Sequence, residues 1–125
     1  MINIFLKTND HFEQVAEVIF RTLGINNFLE GDSQNVLSGV YSSYSVFGIS
    51  IRLELNSYDY EDEYKFMLQI KKDLVTPFKI DSTIENMVAE IILKLLCNNF
   101  NEPIAIEKNN ELMTVSIDNI FEMTH

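Results

Sequence analysis

Cysteine occurs once, at Cys97, so the chain has no disulfide framework and no cysteine-based zinc site. That suits a reducing compartment. Histidine occurs only at His11 and His125. A Ser-His-Asp or Cys-His arrangement needs an imidazole held in place by its surroundings, and neither position offers a sign of that. His11 falls in the first turn of an expected helix, and His125 is the last residue. The four glycines, at 24, 31, 39 and 48, are too dispersed for a phosphate-cradling loop or a dinucleotide fingerprint. No stretch is proline-rich, serine-rich or repetitive, which disfavours disorder and solenoid architectures. Nothing calls for a cofactor.

Positive charge is also scarce. Nine Lys and Arg face nineteen Asp and Glu, a formal net charge of -10. A surface this negative repels phosphate backbones and anionic lipid, so neither nucleic acid nor membrane is expected as a direct partner. The same field attracts a basic protein and speeds its association at low salt. Residues 1 to 7 have no basic region and no long apolar run, so no signal peptide is expected. The most apolar later stretch, 87 to 97, is interrupted by Glu90 and Lys94 and is too short to span a bilayer. A cytoplasmic, soluble chain is the expectation.

What the sequence does have is alternation. Ile49, Ile51, Leu53 and Leu55 alternate with Ser50, Arg52, Glu54 and Asn56. Tyr64, Phe66, Leu68 and Ile70 then alternate with Lys65, Met67, Gln69 and Lys71. Strand side chains switch faces at every residue, so each run reads as a strand with one buried face. Together they predict a long antiparallel hairpin over residues 49 to 72. Its connection, residues 56 to 63, begins with turn formers and ends in four carboxylates.

The flanking chain divides as follows. Residues 1 to 7 fit a short strand, with Phe5 on the face opposite Ile2, Ile4 and Leu6. Phe12, Val15, Ala16, Ile19, Phe20 and Leu23 recur at helical spacing, which predicts a helix over 10 to 23. Asp10 with Glu13 supplies a capping-box pattern, and Gly24 a left-handed stop. Residues 25 to 35 read as loop. A strand near 36 to 42 and another over 45 to 55 are expected, joined at Ser42-Ser43, with Gly48 as a bulge. Ser82 with Glu85 opens a second helix over 83 to 98, and Ile104, Ile106, Met113, Val115 and Ile117 suggest a small hairpin around Asn109-Asn110. The 125 residues thus form one α+β domain, a two-layer arrangement with a mainly antiparallel sheet and two amphipathic helices on one face.

The acidic connection is the candidate site. Tyr58, Asp59, Tyr60, Glu61, Asp62 and Glu63, with Glu54 and Asp32 as outliers of the same field, form the expected partner-binding surface; Tyr64 continues the run. Tyrosines supply amphipathic contact area, and carboxylates pair with Lys and Arg. Carboxylates at a hairpin tip also keep it solvated and block edge-to-edge association. Asp59, Glu61 and Glu63 have alternate spacing, but the glycine and the distant bidentate Glu of a calcium loop are missing. On an exposed turn nothing separates the carboxylate pKa values as acid and base would require. No enzyme activity and no metal are expected. Cys97, at the end of an apolar helix, reads as a packed thiol.

The run Ser45-Val46-Phe47-Gly48-Ile49-Ser50-Ile51-Arg52-Leu53-Glu54, continuing through Asn56-Ser57-Tyr58-Asp59-Tyr60-Glu61-Asp62-Glu63-Tyr64, resembles small bacterial immunity proteins. These are encoded beside contact-dependent growth-inhibition (CDI) toxins. The likeness extends loosely to residues 6 to 10 and the helix that follows, roughly the first half of the chain. It implies a cytoplasmic protein that binds one cognate basic toxin domain, often a DNase or RNase, and protects the producing cell. Some such proteins accept a toxin hairpin at a sheet edge or in a pocket. Others cover the active site with acidic residues. The free protein is then a monomer or weak dimer. The alternative is an acidic adaptor or regulatory subunit, homodimeric through an uncovered sheet edge. A small-ligand or metal-binding domain is the third class.

Overall fold

A computed structural model describes residues 1–32, 39–56, 63–73, 82–99, 103–108 and 111–115. Their order is β1 (Ile2–Leu6), α1 (Phe12–Thr22), β2 (Leu29–Asp32), β3 (Val40–Val46), β4 (Ile49–Leu55), β5 (Phe66–Lys72), α2 (Ser82–Asn99), β6 (Ile104–Lys108) and β7 (Glu111–Val115). The strands form one seven-stranded sheet in the order β2-β3-β4-β5-β1-β6-β7, with every neighbouring pair antiparallel. This is the α+β architecture that alternation and helical spacing predict.

β4 and β5 form the expected antiparallel hairpin, and its register runs from Ile49 opposite Lys72 to Leu55 opposite Phe66. Asn56 closes its far end. Its backbone N–H donates to the Lys65 carbonyl at 2.9 Å and its side-chain amide to the Tyr64 carbonyl at 3.0 Å. Ile49, Ile51, Leu53, Phe66, Leu68 and Ile70 meet Ile2, Ile4 and Leu6 on one face. Val15, Ala16, Ile19 and Phe20 of α1 and Ala89, Ile92, Leu93 and Leu96 of α2 cover that face, hereafter the helix face.

Several local expectations change. The first helix starts at Phe12 with His11, not Asp10, as the capping residue. The His11 N–H donates to Gln14 Oε1 at 3.2 Å, while Asp10 pairs locally with Thr8 at 3.3 Å. Its end matches the expected stop. Gly24 takes φ +77°, its N–H donates to Arg21 O, and Ile25 N–H donates to Phe20 O at 2.8 Å. Residues 29–32, expected as loop, form the edge strand β2. Ser42-Ser43 is not a connection but the middle of β3. The turn lies at Phe47-Gly48, both with positive φ (53° and 77°), the geometry that lets two residues join right-twisted strands.

The second sheet face also holds a buried cluster: Phe5, Tyr64, Met67 and Ala105, with Leu112 against it. Tyr64 is therefore core, 2% exposed and 6.2 Å from the Phe5 ring, and not part of an exposed tyrosine surface. It precedes the ladder, which begins at Phe66, so the alternation does not carry across it. Among the described residues no helix is long and apolar enough to cross a membrane.

Candidate functional site

Of the expected contact residues, Tyr58, Asp59, Tyr60, Glu61 and Asp62 lie outside the described residues. Glu63 is exposed at the end of the connection, and Asp32 is exposed at the end of β2. Glu54 is corrected. It is 3% exposed, on the second face, and its Oε2 accepts a hydrogen bond from Arg52 Nε at 3.1 Å. That face is covered at its centre, so a carboxylate there is consumed by its own strand neighbour and does not face a partner. Glu54 and Asp32 also point to opposite faces, because Asp32 pairs with Val40, two residues before Ser42, and Ser42 pairs with Leu53.

The structure instead gathers carboxylates around Asp32 at the β2 edge of the helix face. A cleft of about 290 Å³ is lined there by Phe12, Glu13, Glu30, Asp32, Val40 and Ser42. Three elements build it. Glu30 and Asp32 alternate with Gly31 on β2, so both side chains rise on the helix face. Phe12 and Glu13 come from the first turn of α1, where an acidic side chain is favoured by the helix dipole. Ser42 sits directly across from Glu30 in the β2–β3 register and forms the floor.

Gly31 is required by the other side of the same strand. A Cβ there would lie 2.4 Å from the Tyr41 ring, which covers the glycine from the second face. Arg52 in turn places its guanidinium 4.8 Å from the centre of that ring. The stack Gly31–Tyr41–Arg52–Glu54 ties the edge strand to the middle of the sheet.

Compared with family models, with curated proteins and with solved structures, the chain matches none.

The cleft's electrostatics are one-sided. Glu13, Glu30 and Asp32 are exposed, and no ion pair involves any of them among the described residues. Among the described residues no Lys or Arg lines the cleft. Its floor carries a further acceptor: Ser42 is 1% exposed, and its Oγ has no hydrogen-bond partner among the described residues. A buried hydroxyl in that state costs about 1–3 kcal/mol. Among the described residues no group of three or more His, Cys, Asp or Glu could hold a metal ion, so the carboxylates flank the cleft without forming a coordination shell.

A second surface is apolar. Ile84, Met87, Ile91 and Leu95 recur at helical spacing along α2 and are 36% to 58% exposed. Of these, Ile91 and Leu95 border a groove of about 350 Å³ shared with Leu23, Val46 and Phe47. The broad apolar stripe expected of this helix is thus two stripes, one in the core and one outside. The acidic-field expectation includes Asp32 but not Glu13, Glu30 or Ser42; Glu30 and Ser42 meet through the β2–β3 register, and Glu13 is brought to them by α1.

Proposed function

We propose that this chain is a stoichiometric, non-enzymatic inhibitor of a basic protein domain, an immunity protein of the kind encoded beside contact-dependent growth-inhibition toxins. Its target is a nuclease domain, since a cationic nucleic-acid groove is the surface that an anionic protein can occupy or shield. The observation that carries the reading is the pooling of Glu13, Glu30 and Asp32, with no Lys or Arg among the described residues of the lining, around one cleft in a chain of net charge -10. The residues of the acidic connection, Tyr58 to Glu63, extend the same surface chemistry in the sequence. Binding of this type calls for charge complementarity, which the carboxylates offer to a basic partner, and for a firm scaffold, which the seven-stranded sheet and its buried core supply.

The test is reconstitution with the toxin domain that this reading expects from a neighbouring reading frame, a large secreted protein ending in a basic domain. Equimolar addition abolishes nuclease activity and the two co-purify. A nuclease that keeps full activity beside a saturating excess refutes the proposal. The exposed α2 stripe supports a second reading, an acidic adaptor that dimerises through that helix. A monodisperse dimer that Ile91→Asp converts to monomer, with no effect on any toxin, favours that reading.

A further inference from the structure

We propose that the cleft between β2, β3 and the start of α1 is a receptor for a single guanidinium group, an arginine side chain of the basic partner. The proposal rests on the preceding reading of the chain as a binder of a basic protein and names the contact through which it binds.

Three features select this guest. The first is the unpartnered Ser42 Oγ on the cleft floor, 1% exposed and on the face toward the cleft. A β3 strand could carry alanine or valine there without loss, so an acceptor held at that depth is useful only when a donor reaches it. The second is the spread of acceptors. Glu30 lies across the strand pair from Ser42, Asp32 is one β repeat further along, and Glu13 stands above them on α1. They do not form a group able to hold a metal ion. A planar group with five N–H donors in a fixed fork can satisfy separated acceptors at once, where a compact ion cannot. The third is the rest of the lining, which is largely apolar: Phe12 and Val40, beside Gly31 and Tyr41. A guanidinium is weakly hydrated and lies well against aromatic and aliphatic surface, whereas an ammonium keeps its water.

In the complex, the Ser42 hydroxyl accepts one guanidinium N–H at the floor. The Glu30 and Asp32 carboxylates accept the others nearer the mouth, and Glu13 adds attraction without direct contact. The three-carbon stem of the arginine lies along Phe12 and Val40.

The experiment is amide NMR titration of the full chain with N-acetyl-arginine methylamide, its citrulline counterpart and calcium chloride. Saturable shifts of the Glu30, Asp32 and Ser42 amides with the arginine probe alone are expected. Glu30→Gln combined with Asp32→Asn weakens that binding about tenfold or more, since charged acceptors are lost. Ser42→Ala weakens it about threefold while leaving thermal stability equal or higher, because it removes an unpartnered buried hydroxyl. Shifts that never saturate, that citrulline or calcium reproduces, or that survive both variants overturn the assignment. The two proposals fail separately. A chain that neutralises its toxin equally well as Glu30→Gln/Asp32→Asn retains the inhibitor function and loses this contact. One that binds the arginine probe but inhibits no basic domain retains the receptor and loses the function.

Discussion

Arg52 does two things with one side chain. Its guanidinium lies over the Tyr41 ring at 4.8 Å, and its Nε donates to the buried Glu54 carboxylate at 3.1 Å. Arg52→Met is expected to cost about 1–3 kcal/mol in urea-unfolding free energy, because it strands a buried acceptor. Glu54→Gln keeps an acceptor oxygen opposite Arg52 and costs less; the reverse ranking would show that the pair does not hold the second face together. Cys97 is half-buried against the main core, and burial pushes its thiol up from the ordinary value. The fold favours the protonated thiol. Its contribution to stability is therefore complete below the pKa of the unfolded thiol and is lost as pH rises through the folded one. Alkylation of the native chain should accordingly accelerate at higher pH than alkylation of the urea-unfolded chain. Coincident pH profiles would contradict that placement of the thiol.

At the scale of elements, the edge strand β2 is the informative case. It has one glycine and two carboxylates in four residues, so neither alternation nor propensity marks it as a strand. It is a strand because β3 offers it a ladder and because the Tyr41 ring fills the space above Gly31. Gly31→Ala must displace that ring and is expected to destabilise by about 1–3 kcal/mol. In the Tyr41→Leu background most of that penalty should vanish; if it does not, the ring is not what the glycine accommodates. The same tertiary logic explains what was legible. Residues 49 to 55 and 66 to 72 announce a hairpin through strict alternation, and Ile19 or Ile92 announce helices through spacing. Ser42 and Ser43 resemble a turn locally and become mid-strand only because Leu53 and Arg52 pair with them. Alternation alone puts Glu54 on the face away from the helices, since period two says which face a residue takes but not whether that face is covered. Phe5 and Met67 on that face were the available signal. The cleft was legible only as Asp32. The turn at Phe47 remains unusual: a bulky residue, 91% exposed, at φ 53°.

At the scale of the molecule, the chain combines a closed core on one sheet face with an uncompensated negative charge. A net charge of -10 acts at a distance and therefore on rates, before any contact forms. Glu61 and Asp62, in the acidic connection, belong to that field together with the cleft carboxylates. The account's central claim is that carboxylates draw in a positively charged macromolecule and no covalent bond is made or broken. The most direct measurement is stopped-flow association with the proposed basic toxin domain across ionic strength, comparing the native chain with Glu61→Lys/Asp62→Lys. The account predicts a rate constant that falls steeply with salt for the native chain, and a slower, flatter dependence for the charge-reversed one. Salt-independent association, identical in the two proteins, would contradict it.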